Sequence, residues 1–128
     1  MKLTEEDALR AYAAMMNTLD VAKLSGLLVD NFHYASQWVF SEIESRQEYV
    51  DYMTQKLETV KKSGGKVWAE MAILDQEFRG PCVVLAQDDK SNLVALVLAK
   101  VGESGIIRLD MCEAPSPHSK RRTGEYPK

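Results

Sequence analysis

A chain of 128 residues and 14.4 kDa is long enough to bury one core and too short for two. At 45% hydrophobic and 27% charged it reads as a folded globular chain, not a disordered one. The net charge of -3 argues against a nucleic-acid binder that works by charge, so no nucleic acid is expected as a partner. The longest unbroken apolar stretch, Leu93 to Ala99, falls far short of the ~20 residues that span a bilayer, and no membrane role is expected. The start, Met1-Lys2-Leu3-Thr4-Glu5-Glu6-Asp7, is acidic where a secretion signal is basic and then apolar, so a cytoplasmic location is expected. Cys82 and Cys112 suffice neither for a disulfide scaffold nor for a four-ligand zinc site. No metal or cofactor is expected.

The first third has helical spacing. Thr4, followed by Glu5, Glu6 and Asp7, is a cap with negative charge in the first turn, where the helix dipole favours it. Leu9, Tyr12, Met16 and Leu19 then recur at intervals of three and four. Asp20 is a second cap, and Val21, Leu24, Leu27 and Leu28 predict a short second helix. Ser45-Arg46-Gln47-Glu48 is a capping box ahead of a third helix, with Val50, Met53, Leu57 and Val60 on one face and Gly64-Gly65 as its stop. Between helices two and three, residues 31–40 are rich in strand formers and hold one short strand, or two about Ser36-Gln37.

After Gly65 the period changes to two. Residues 66–74, 82–87, 93–101 and 106–112 are four strand candidates joined by short polar turns, which makes an antiparallel meander. The predicted fold class is α+β, with N-terminal helices packed on a strongly curved, mainly antiparallel sheet. Residues 1–113 form the single domain, and 114–128, with Pro115, Pro117 and the run Lys120-Arg121-Arg122, form a flexible tail. Both faces of 93–101 are apolar, Leu93, Ala95, Val97 and Ala99 on one and Val94, Leu96 and Leu98 on the other. Since helices cover only one face, the other is expected to be buried against a second copy in a homodimer.

Three stretches carry a resemblance: Tyr12 to Asp20, Leu24 to Tyr34, and Ile43 to Tyr52. With the order of elements, they resemble the nuclear-transport-factor-two-like superfamily, which includes ketosteroid isomerase and the SnoaL-like polyketide cyclases. The resemblance implies a cone in which helices close over the curved sheet and leave a pocket at the wide end. It places Tyr12 on the isomerase's oxyanion-hole tyrosine. Ser36 falls where that enzyme has its general-base aspartate, and a neutral serine takes no proton near neutral pH without a base of its own. The strand that would bring the second oxyanion donor is aliphatic from Leu93 to Ala99. The chain therefore has the fold's spacing without a recognisable catalytic signature.

The expected pocket gathers Tyr12 and Met15 from helix one, His33, Tyr34 and Trp38 from the first strand region, Tyr49, Tyr52 and Met53 from helix three, and Trp68, Asp110 and Cys112 from the sheet. His33 is the one histidine inside the domain, with an unperturbed pKa near neutrality. It reads either as a base or ligand contact, or as an edge residue satisfied by the backbone. Ile106, Arg108, Asp110 and Cys112 alternate onto one strand face, and Arg108 with Asp110 reads either as a pocket pair or as an exposed ion pair of little worth. Were Asp110 inside the cone, burial would raise its pKa and make it an acid–base group. Three functions follow. The first is binding of a small apolar or aromatic molecule in the cone. The second is a cyclase, isomerase or dehydratase using Asp110 or His33 as acid–base, with Tyr12 or Tyr34 as hydrogen-bond donor. The third is a non-catalytic accessory role through the outer sheet or the tail.

Overall fold

The computed structural model describes residues 2–37, 41–74, 80–113 and 121–128. Helix α1 (Glu5–Thr18) starts from a complete capping box. The Thr4 hydroxyl accepts from the Asp7 N–H at 3.0 Å, and the Asp7 carboxylate accepts from the Thr4 N–H at 3.1 Å. Leu9, Tyr12 and Met16 are buried, as their spacing predicts, with Met15 beside them, whereas Leu19 is the half-buried C-cap at φ 55°.

Helix α2 (Ala22–Ser25) is shorter than its apolar pattern predicts. The Leu27 N–H closes the turn onto the Leu24 carbonyl at 2.9 Å, and the Leu27 carbonyl accepts from the Ile106 N–H at 2.8 Å. That second bond commits the chain to strand β1 (Leu28–Ser36), which begins three residues earlier than the β-rich stretch implies. Gly105 makes the approach possible: at φ 148°, a Cβ there would sit 2.4 Å from the Leu27 carbonyl oxygen.

Helix α3 (Arg46–Ser63) is capped by Ser45, whose hydroxyl accepts from the Glu48 N–H at 3.2 Å, and it ends at Gly64 with φ 70°. Its buried line is Tyr49, Met53 and Leu57, with Val50 and Val60 only half-buried beside it.

Strands β2 (Val67–Leu74), β3 (Gly80–Gln87), β4 (Leu93–Val101) and β5 (Ile106–Cys112) form the expected meander. The sheet order is β1-β5-β4-β3-β2-β6, where β6 (Arg121–Arg122) is an added edge strand and β1 runs parallel to β5. The curved sheet is unclosed, and the fold class is the predicted α+β cone. Its inner face meets the helices in one core that includes Leu9, Phe32, Val83, Val97 and Leu109. A second, smaller core of Ala72, Cys82, Val84, Ala86, Leu93 and Leu96 lies on the other face.

Two bulges alter the predicted faces. Between Leu85 and Ala86 the β3–β4 register shifts. This turns Leu93 into the outer core and leaves Val94 packed against the inner one. The β4–β5 register shifts again between Lys100 and Val101, so Ile106 joins the inner core with Leu109 and Met111 instead of sharing a face with Arg108 and Asp110.

The outer face also differs from expectation. Leu96, Val84 and Cys82 are fully buried within a single chain, so the argument that this face requires a second copy loses its premise. Among the described residues the large exposed apolar side chains are Leu27, Ile73 and Ile107.

Residues 121–128 of the expected tail lie against the edge of the sheet. β6 pairs antiparallel with β2, Ala72 opposite Arg122 and Ile73 opposite Arg121. The Arg122 guanidinium meets the buried Glu70 carboxylate at 2.6 Å. Residues 114–120 of that expected tail, including Lys120, lie outside the described residues.

Candidate functional site

The cone interior is built from tyrosines. α1 contributes Tyr12 and Met15, β1 contributes Phe32 and Tyr34, and α3 contributes Tyr49, Tyr52 and Met53. All are buried except Tyr52, which is half-buried. The one-in-four spacing on α1 and α3 and the one-in-two spacing on β1 aim these rings at a common volume.

Phe32 packs edge to face on Tyr49, and Tyr34 lies tilted to both Tyr49 and Tyr52. Phe32 and Tyr49 centroids lie 4.9 Å apart at 65°, Tyr34 and Tyr49 lie 5.1 Å apart, and Tyr34 and Tyr52 lie 6.0 Å apart. The Tyr34 hydroxyl donates to the Met111 sulfur at 3.7 Å, and Ser36 hydrogen-bonds the Tyr34 side chain. The Lys56 ammonium donates to the Tyr52 hydroxyl at 3.4 Å from the helix surface. The Tyr49 hydroxyl is buried with no hydrogen-bond partner among the described residues. A phenol left so costs about 1–3 kcal/mol of folding free energy.

Burial pushes the Tyr12, Tyr34 and Tyr49 phenols well above the ordinary tyrosine range, and the neighbouring phenols push further in the same direction. The hydroxyls therefore stay protonated across the physiological range. Chemically, the cluster is a set of neutral donors in an apolar wall.

Of the other residues expected in the pocket, His33 and Asp110 are elsewhere. β1 turns Phe32 and Tyr34 inward, so His33 between them faces out, opposite Arg108 in the parallel register. There the His33 Nδ1 lies 3.1 Å from Glu42, Arg108 bonds Glu42 at 2.9 Å, and Arg108 bonds Asp110 at 3.0 Å. This is a part-exposed charge network on the outer face. Arg108 first, and then His33, holds the Glu42 carboxylate down to about 2. Asp110 thus lies outside the cone, because alternation along β5 sends Leu109 and Met111 inward instead.

Trp68 also packs on the outer core, with Cys112, while Trp38 lies outside the described residues. Burial raises the Cys112 thiol, which makes it a poor nucleophile. Among the described residues no three His, Cys, Asp or Glu side chains are placed to hold a metal. Among them, too, no helix is long and apolar enough to cross a membrane. A surface hollow of about 330 Å³ lined by Lys2, Leu3, Asp7, Leu27 and Glu103 shares no residue with the tyrosine cluster.

No protein-family profile matches this chain, and no curated protein matches it. Solved structures do. An NTF2-like protein of unknown function from Cytophaga hutchinsonii has a TM-score of 0.59 at 14% identity, covering 87% of this chain and 90% of its own. A SnoaL-like protein of unknown function from Burkholderia thailandensis has a TM-score of 0.61 at 12% identity, covering 97% of this chain and 100% of its own. A candidate polyketide cyclase from Xanthomonas campestris has a TM-score of 0.59 at 11% identity, covering 84% of this chain and 87% of its own. The fold is therefore the NTF2-like, SnoaL-like cone. At these identities the likeness extends to fold, and function rests on the side chains.

Proposed function

We propose that the chain binds a small, largely apolar or aromatic molecule carrying a hydrogen-bond acceptor, held in the cone against Tyr12, Tyr34, Tyr49 and Tyr52. The observation that carries this reading is the buried Tyr49 hydroxyl, which has no hydrogen-bond partner among the described residues. A carbonyl oxygen beside it would accept the missing bond, and the surrounding rings would hold an aromatic body. The enzymatic alternative weakens, because His33 and Asp110, its two acid–base candidates, both sit on the outer face. Binding without turnover fits the residues better.

The test compares 1-tetralone with tetralin, which has the same carbon frame and no acceptor. The ketone is expected to raise the melting temperature of the wild-type protein more than the hydrocarbon does, and Tyr49→Phe to erase the difference. Equal shifts in the wild-type protein would reject the acceptor, and no shift with either would reject the pocket.

A homodimer across the outer face has narrower support. Trp68, Leu74, Leu98 and Cys112 are half-buried around the outer core and offer a small apolar contact.

A further inference from the structure

Residues 121–128 have no apolar period, yet the groove between α1 and the edge of β2 takes them up residue by residue. The backbone pairs first. Beyond β6, the Thr123 N–H donates to the Met71 carbonyl at 3.2 Å, and the Met71 N–H donates to the Glu125 carbonyl at 2.9 Å. Side chains then read the segment. Arg122 Nε donates to Glu70 Oε1 at 2.6 Å, and the Gly124 N–H donates to Glu70 Oε2 at 2.7 Å. Glu70 is 4% exposed, so both oxygens of a buried carboxylate bond to this segment. The Arg10 guanidinium forks onto Glu125, and Asn17 Nδ2 donates to the Pro127 carbonyl at 2.7 Å. Gly124, at φ 78°, is in a backbone conformation that glycine adopts without strain.

The groove thus matches an extended Arg-x-Gly-Glu sequence, with an acid for the arginine and a base for the glutamate. None of these bonds depends on the segment belonging to the same chain. We infer that the α1–β2 groove is a strand-addition peptide site, and that the C-terminal segment of a second copy of this chain fills it in a strand-exchanged dimer. Exchange replaces each contact by an identical one, so it costs only association and the rearrangement of the connecting residues. The paired charges, Glu70 with Arg122 and Arg10 with Glu125, make the site and its ligand complementary at two points.

The experiment supplies a fluorescein-labelled peptide of residues 121–128 to the full chain carrying Arg122→Ala and Glu125→Ala, which disables its own segment. Saturable binding is expected, weakened at least tenfold when the peptide itself carries Arg122→Ala. Wild-type protein, with its groove filled, should bind the peptide at least tenfold more weakly. A second variant guards against misfolding. Arg10→Glu alters an exposed side chain, and this full-length protein should prefer a peptide carrying Glu125→Arg over the natural one. Sedimentation of the wild-type protein should show a dimer that grows with concentration and is lost in the Arg122→Ala, Glu125→Ala variant. Absence of peptide binding to the folded double variant, or binding indifferent to charge reversal, would overturn the peptide site. A wild-type monomer across a hundredfold concentration range would overturn the exchange.

Discussion

The Asn17 side chain stands in for a strand at the edge of β2. Its amide donates to the Ala69 carbonyl at 2.8 Å, and its carbonyl oxygen accepts from the Ala69 N–H at 2.7 Å. A helix residue thereby completes both backbone bonds of one edge position, just beyond the stretch where residues 121–125 supply them. Exposed edges invite unwanted pairing, and this edge is closed by one amide and one short segment.

Asn17→Ala should therefore cost about 1–3 kcal/mol, because two part-buried backbone groups lose their partner. Urea denaturation gives the magnitude. Hydrogen exchange at the Ala69 amide should accelerate well before exchange at Val83 or Val97, and uniform acceleration would mean that the amide serves no local purpose.

Tyr49→Phe should stabilise the ligand-free protein. It removes a buried hydroxyl that has no partner among the described residues while keeping the ring contacts with Phe32 and Tyr34. The gain expected is up to about 1–3 kcal/mol in urea denaturation. A loss of stability would show that the hydroxyl is satisfied in solution.

Glu42 should give the protein an acid-sensitive contribution. Its carboxylate titrates at about 2 in the folded chain, below the ordinary glutamate value of 4.5. A lowered folded-state value stabilises at pH above the unfolded value, and that contribution is lost as pH falls through the folded one. The stability difference between wild type and Glu42→Gln should then hold steady between about pH 5 and 8 and shrink toward zero as pH approaches 2. A difference unchanged down to pH 2 would mean that Arg108 and His33 do not hold the carboxylate in solution.

Leu96→Ala should cost about 2–5 kcal/mol, as expected for a leucine with no exposed surface. Leu96→Glu, which buries a charge, should prevent folding, as circular dichroism would show. A Leu96→Glu protein that stayed folded but changed from dimer to monomer would show instead that this face is an interface.

The helices and the meander were legible because caps and periods agree: Thr4 with Asp7, Ser45 with Glu48, and alternation along β2 to β5. Side-chain direction on β4 and β5 was less legible, because bulges at Leu85/Ala86 and Lys100/Val101 shift the alternation and leave no mark in residue type. That is why Ile106 was expected beside Asp110. Of the candidate site, the tyrosines followed from helical and strand spacing. His33 and Asp110 were placed inside by their chemistry when alternation puts them out. β6 left one readable trace. Glu70 is an acid in the apolar run of β2 and needed a cation, yet nothing local named Arg122, 52 positions away.

The parallel pairing of β1 with β5 has a kinetic consequence. Tyr34 and Met111 meet across 77 positions, whereas consecutive meander strands are separated by only four or five residues of sequence. Loop-closure entropy opposes the distant pairing, so the meander is free to assemble first and β1 docks after β5 exists. Tyr34 reaches its sulfur partner only in that late event. During synthesis from the N-terminus, α1 can find cover on β2 to β4, whereas β1 must wait for β5 before its edge is paired.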